Sequence, residues 1–253
     1  MEIVPIRAFR DNYIWAIHEG GRAVVVDPGE AAPVAAHLAE QRLELDAILV
    51  THHHPDHVGG IAALASRDAL CVYGPAAESI PGVTRPVAAP QTVRLPGIGI
   101  ELAVLDVPGH TRGHVAYYGA NLLFCGDTLF GCGCGRLFEG SAEQMWRSLG
   151  RLASLPGETY VFSAHEYTQA NIGFALEVEP GNAALRRRDE EVRRRRAALL
   201  PTLPSSIAEE CATNPFLRCA QPEVIRAASR FRGRPLADPA EVFAALRAWK
   251  DGF

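Results

Sequence analysis

The segment Thr51-His52-His53-His54-Pro55-Asp56-His57 gathers four potential metal donors, His52, His54, Asp56 and His57, into one short stretch. So dense an imidazole cluster has little structural use. Protonated neighbours repel one another, and neutral rings buried together leave polar nitrogens unpaired. A metal ion resolves both problems. In an extended segment, residues two apart point to the same side, so His52 and His54 can share one ion while His53 points away. The chain then turns, and Asp56 and His57 can face a second position nearby.

Two or three donors do not complete a site, because catalytic zinc usually takes three protein ligands and keeps a place for water. Three further segments supply candidates. His110 stands in Pro108-Gly109-His110-Thr111-Arg112-Gly113-His114, Asp127 in Gly126-Asp127-Thr128, and His165 in Ser163-Ala164-His165-Glu166. Each follows an apolar run that reads as a strand, so four loops each deliver a ligand from a strand end, the way a strand scaffold presents a site. Five of the nine histidines fall in these positions, which makes chance clustering a poor account. His114 reads as structural, and His18 and His37 as ordinary histidines.

The elements that must position these residues come next. Ile3–Ile6, Tyr13–His18, Ala23–Val26, Ala47–Val50, Cys71–Tyr73, Gln91–Leu95, Ile100–Val107, Val115–Tyr118, Leu122–Cys125 and Tyr160–Phe162 read as strands, with turn residues such as Gly20-Gly21 and Asp27-Pro28-Gly29 between them. Ala32–Gln41, Gly59–Ser66 and Ala142–Leu152 read as helices. From about Glu166 strand signals vanish. Asn182–Leu200 reads as a long helix with Leu185, Val192 and Leu199 at seven-residue spacing, ended by Pro201 and Pro204, and Glu223–Arg230 and Pro239–Trp249 as further helices. The organisation expected is two packed sheets with outer helices over 1–165, followed by a helical domain over 166–253.

A length of 253 residues suits one large domain or two smaller ones. The net charge of -4 gives no basic footprint for nucleic acid. The arginine runs 186–188 and 193–196 sit beside Asp189, Glu190 and Glu191, four residues before Arg193, Arg194 and Arg195, so they read as a solvated, self-paired helix face. MEIVPIRAFRDNYIW lacks the pattern of a secretory signal, and no apolar run is long enough to span a bilayer. The six cysteines therefore read as reduced thiols of a cytoplasmic protein. A small-molecule substrate and a monomer are expected, with neither nucleic acid nor membrane as partner.

The series T-H-x-H-x-D-H, P-G-H-T, G-D and S-A-H-E-Y resembles the metallo-β-lactamase superfamily. Within it, Gly133–Gly140, Ala164–Thr168 with Val178–Asn182, Asn214–Arg218 and Leu246–Asp251 resemble the glyoxalase II, or hydroxyacylglutathione hydrolase, family. The resemblance covers nearly the whole chain. It implies an α/β fold, the metallo-β-lactamase αββα sandwich of two mixed sheets, with a C-terminal all-helical domain that binds substrate. It also implies a division of ligands: His52, His54 and His110 on one ion, Asp56, His57 and His165 on the other, and Asp127 bridging both. Arg136, Phe138, Tyr167, Arg247 and Lys250 match the family's substrate-binding positions. Arg136 stands where lysine is common, and Phe138 where tyrosine is common. The missing hydroxyl costs about 0.5–1.5 kcal/mol of binding if its hydrogen bond is lost.

The activity implied is hydrolysis of S-(2-hydroxyacyl)glutathione, such as S-D-lactoylglutathione, to a 2-hydroxy acid and glutathione, as in methylglyoxal detoxification. Two divalent ions lower the pKa of a shared water, and Asp56 and Asp127 act through that metal-bridging hydroxide. Mixed imidazole and carboxylate donors suit zinc first, with iron or manganese as alternatives. Two rival readings stay within the superfamily: an iron persulfide dioxygenase, which would have to dispense with Asp56, His57 and His165 as second-metal ligands, and a hydrolase of a different thioester or a lactone.

Overall fold

The computed structural model describes residues 1–65 and 70–253. Two compact units are distinguished. The first comprises Met1–Val107 and Arg112–Gly126, the second Pro108–Thr111 and Asp127–Phe253.

The first unit opens with an antiparallel meander of β1 (Glu2–Ala8), β2 (Asn12–Glu19) and β3 (Arg22–Val26), with Ile6 opposite Ile14 and Trp15 opposite Val26. Gly20 and Gly21 close the second hairpin with φ of 57° and 81°, left-handed values that glycine adopts at no steric cost. Helix α1 (Ala31–Gln41) then crosses over to β4 (Glu44–Leu49), which lies parallel to β3. After two single-turn helices, α2 (Pro55–Val58) and α3 (Ile61–Leu64), the parallel strands β5 (Cys71–Pro75) and β6 (Arg85–Val87) complete a mixed sheet of order β1-β2-β3-β4-β5-β6. Ile14, Val25, Ile48 and Val72 pack beneath Val34 of α1 in a core that excludes water. An antiparallel run follows: β7 (Thr92–Leu95), β8 (Ile100–Asp106), β9 (Val115–Gly119) and β10 (Leu122–Gly126).

The second unit begins with a small hairpin of β11 (Leu129–Phe130) and β12 (Gly133–Cys134). Helix α4 (Ala142–Ala153) starts at a capping box, Ser141 accepting from the Gln144 backbone and Gln144 from that of Ser141. Strand β13 (Tyr160–Ser163), α5 (Thr168–Val178) and α6 (Ala183–Ala197) follow. The two-residue β14 (Ser205–Ser206) pairs with β13. Helix α7 (Ile207–Thr213), a 3-10 turn (Pro215–Leu217), α8 (Pro222–Arg232) and α9 (Pro239–Asp251) complete the chain. Ile172, Ala175, Leu185 and Val192 pack around Cys132.

Several expectations are corrected. The helix expected over Gly59–Ser66 is Ile61–Leu64, and Ser66 lies outside the described residues. Strand pairing does not stop at Glu166, because Ser205–Ser206 pairs with Tyr160 and Val161 over a span too short for any periodicity to reveal. Helix α6 ends at Ala197 rather than Leu200, and Leu199 takes a left-handed φ of 58° and is 71% exposed. The seven-residue apolar spacing therefore buries Leu185 and Val192 only. On the same helix Arg193 pairs with Asp189 at 2.8 Å, whereas Arg194 pairs with Glu191 three residues back and Arg195 donates to the Pro201 carbonyl. Among the described residues no helix is long and apolar enough to cross a membrane. All six cysteines are free thiols.

Candidate metal centre

Each donor stands just past a strand end. His52 and His54 follow β4, and α2 carries Asp56 and His57. Within the first unit the His52 Nε2 and His54 Nδ1 atoms lie 3.1 Å apart, and the His52 and His57 rings lie 4.1 Å apart. His57 Nε2 stands 3.5 Å from an Asp56 oxygen. His53 turns aside to Glu78, at 3.0 Å, as the extended-segment argument requires. His114 is buried and stacked on His52 at 4.6 Å, and its Nδ1 donates to the Val115 carbonyl, the structural role expected of it.

Two residues that hold this cluster escaped sequence reasoning. In the sequence Asp27 stands only as part of the turn Asp27-Pro28-Gly29. Its carboxylate accepts from the Thr51 backbone and hydroxyl, both at 2.8 Å, and faces His57 Nδ1 at 3.1 Å. Thr51 in turn lies 3.0 Å from His52 Nδ1. One buried carboxylate thus fixes the orientation of two candidate ligands, as partners behind metal-binding histidines commonly do. Asp27 adopts a φ of 53°, a conformation open to aspartate but uncommon. Asn12, the first residue of β2, donates to Asp56 Oδ2 at 2.9 Å. Gly126 closes β10 at φ 47°, where a Cβ would lie 2.2 Å from the Thr51 hydroxyl.

In the second unit Asp127 is the centre. Its Oδ2 faces His110 Nε2 and its Oδ1 faces His165 Nε2, each at 3.4 Å. A carboxylate whose two oxygens address different imidazoles has the disposition needed to bridge two cations. His110 Nδ1 lies 2.8 Å from the Arg136 carbonyl. Since a carbonyl only accepts, the proton sits on Nδ1 and Nε2 keeps its lone pair for a metal. Ser148 of α4 anchors the preceding loop by donating to the Pro108 carbonyl at 2.7 Å. The donor chemistry of these histidines and aspartates fits a dinuclear metal site.

The five residues matched to substrate binding all lie in this second unit. Phe138 is 63% exposed and meets the His110 ring edge-on at 5.3 Å. Tyr167 stacks on His165 at 4.7 Å, and Phe130 braces both rings. Arg247 is buried. It donates to the Cys134 carbonyl at 3.0 Å and pairs with Asp251 at 2.8 Å, its guanidinium over Phe216. Lys250 lies over Phe174 and Phe253. Burial, then the charges of Arg247 and Arg136, hold its ammonium below the usual lysine range. Two arginines therefore act on Lys250 here, and an anion beside it would relieve that repulsion.

Comparison with known proteins agrees with this geometry. Residues 7–165 match the metallo-β-lactamase superfamily and residues 166–253 the hydroxyacylglutathione hydrolase C-terminus. Proteins named hydroxyacylglutathione hydrolase from Nitrosomonas eutropha and Nitrosomonas europaea are 55% and 54% identical to the chain. The alignments cover all of this chain and 99% and 97% of theirs. Among solved structures, a B3 metallo-β-lactamase shares the fold at 21% identity with a TM-score of 0.64, over 85% of this chain and 98% of that one. A protein crystallised in a di-iron-bound form is 32% identical, with a TM-score of 0.54 over 65% of this chain and 92% of its own. The fold is thus the expected α/β one, with two mixed sheets plus helices and a helical C-terminal region.

Proposed function

We infer, from the premise that the chain belongs to the hydroxyacylglutathione hydrolase family of the metallo-β-lactamase superfamily, that it is a metal-dependent hydrolase splitting the thioester of an S-(2-hydroxyacyl)glutathione into a 2-hydroxy acid and glutathione. One observation carries the reading furthest. The short stretch 135–138 grips His110 through the Arg136 carbonyl while the Arg136 side chain feels the charge of Lys250. A ligand histidine and a cationic cluster suited to glutathione carboxylates are thereby tied to one piece of backbone. Relatives named for this activity over their full length leave the persulfide dioxygenase alternative unfavoured.

In this reading His52, His54 and His110 would hold one divalent ion, Asp56, His57 and His165 would hold the other, and the Asp127 carboxylate would serve both. The chemistry of the donors favours zinc, with iron or manganese as substitutes. Once bound, the pair supplies a water of lowered pKa and polarises the thioester carbonyl. The chain's own residues do the rest. Asp56, held at Oδ2 by Asn12 and 3.5 Å from His57 Nε2, would help to orient the attacking water. Arg136, Arg247 and Lys250 receive the glutathione carboxylates, Tyr167 donates to its backbone, and Phe138 offers the glutathione part an exposed aromatic face. The departing thiolate, with a thiol pKa of about 8.5, needs no general acid. The division into a catalytic part, 1–165, and a substrate-binding part, 166–253, is supported by the two family matches, which meet at that point. We place the enzyme as a monomer in the cytoplasm, a compartment supported by its free thiols.

The test is to measure metal content and to follow hydrolysis of S-D-lactoylglutathione with and without a chelator. Chelator-sensitive turnover by a protein carrying close to two ions per chain is expected. A fully loaded protein that leaves the thioester intact would sink the glutathione reading.

A further inference from the structure

The loop between β11 and β12 is held in an uncommon conformation by buried polar groups that the mechanism above does not use. Cys132 at its tip is fully buried and has a φ of 57°, a left-handed backbone that a cysteine adopts only when its surroundings enforce it. Three helices supply that enforcement. From α7, Glu210 accepts the Cys132 backbone N–H at 2.8 Å. From the end of α7, Asn214 donates to the Gly133 carbonyl at 2.9 Å and to Glu210 at 3.1 Å. From α5, Asn171 donates to the Gly131 carbonyl at 3.0 Å. Arg188 of α6 closes the network, donating to Glu210 at 2.5 Å and to the Thr213 hydroxyl at 2.6 Å. Glu210 is fully buried and Arg188 is 6% exposed.

A buried ion pair is a poor means of gaining stability, since desolvation offsets most of the attraction, but it fixes geometry well. What this one fixes is the backbone directly preceding Arg136. Gly133 and Cys134 form β12, the Cys134 carbonyl receives Arg247, and the Arg136 carbonyl holds His110. We propose that Glu210, oriented by Arg188 and Asn214, is a positioning residue for substrate. It locks the Cys132–Gly133 tip so that the guanidinium of Arg136 and the Arg247–Lys250 pair stand at one fixed spacing to receive the glutathione part of the thioester. The inference rests on the functional reading above. Because metal also holds His110 in the loaded enzyme, the loss of the clamp falls on substrate binding and not on the chemical step.

The test uses the metal-loaded enzyme and two variants, E210Q and the double variant R188M/E210M. Glutamine keeps the shape of Glu210 but weakens the grip on Arg188. The double variant replaces the ion pair by apolar side chains, a change that commonly leaves stability intact, while removing the acceptor for the Cys132 N–H. KM and kcat are measured for S-D-lactoylglutathione and for a short acyl thioester without the glutathione part, alongside melting temperature and metal content. Loss of charge-assisted hydrogen bonding at the clamp should raise KM for the glutathione thioester about tenfold in both variants. In both, kcat stays within about threefold of wild type, metal content stays at the wild-type level, and the short thioester is hydrolysed as by wild type. In the double variant this holds even where the melting temperature returns to that of wild type. A melting temperature that falls while KM for the glutathione thioester stays unchanged makes the network structural only and overturns the proposal. A wild-type enzyme that fails to hydrolyse the glutathione thioester overturns the functional reading, and the role of Glu210 with it.

Discussion

Asp27 shows how one side chain can govern several. It holds the Thr51 backbone and hydroxyl and faces His57, and through Thr51 it bears on His52. Removing the carboxylate in D27A should lower metal affinity by about 10- to 100-fold, the usual cost of losing a partner behind a ligand histidine. Competition with a chromogenic chelator measures it, and unchanged affinity would make Asp27 a turn residue only. Asn12 acts one step closer to the chemistry. N12A frees Asp56 Oδ2, and with a hydrogen bond to a charged group worth about 1.5–3 kcal/mol, kcat/KM should fall by one to two orders of magnitude with metal content preserved. Lys250 carries a pH prediction. Its proton leaves before that of an ordinary lysine, because burial and then Arg247 and Arg136 disfavour the charged form. As pH rises through that lowered pKa, one cation for the substrate carboxylate disappears, so KM rises. In K250M the alkaline rise in KM should be absent and KM already high at pH 7.

The helices that frame the second unit depend on local devices whose loss can be separated from catalysis. The Ser141 capping box starts α4, and the same helix carries Ser148, which holds the loop before His110. S141A should cost about 1 kcal/mol of stability, read from the midpoint of urea unfolding, with KM unchanged. At the junction of α5 and α6, Arg218 clamps Glu179 with two hydrogen bonds of 2.7 Å, and Asn182 adds a third. Burial alone would raise the pKa of Glu179, but these donors outweigh it and hold the carboxyl below its usual range. A carboxylate with a lowered folded pKa stabilises the native state above its unfolded pKa, and that contribution is lost as pH falls through the folded value. E179Q should therefore unfold more readily than wild type at pH 7, and the gap between them should close as the pH falls through the lowered pKa of Glu179. A gap that persists in acid would point to lost packing instead of lost charge.

For the molecule as a whole, metal is expected to be a stabiliser as well as a reagent. Candidate ligands such as His52 and His54, with nitrogens 3.1 Å apart, would gain from a shared cation that the unfolded chain cannot bind equally well. Free metal at a hundred times its Kd adds about 2.7 kcal/mol to the native state. Chelation should then remove activity and lower the melting temperature together, and zinc should restore both. A chelated protein that melts at the holoenzyme temperature would show a scaffold rigid without its ions. The thermal transition of E210Q with metal bound offers a comparison in which the ligands are untouched.

Much of this was written in the sequence. Donor type and loop position are local properties, so His52, His54, Asp56, His57, His110, Asp127 and His165 could be found as polar residues placed directly after apolar runs. The strands that carry them were legible because their apolar residues are continuous, as β3 and β4 show. The tertiary structure decided what depends on partners distant in sequence. Asp27 meets Thr51 across 24 positions, Asn12 meets Asp56 across 44, and Arg247 meets Cys134 across 113. No periodicity encodes such pairs. Arg188 is the sharpest case. Within an arginine run on a charged helix it reads as one more solvated side chain, yet it is buried against Glu210, 22 residues on. Charge patterning describes a helix alone, and only the packing of α7 against α6 could choose which arginine left the water.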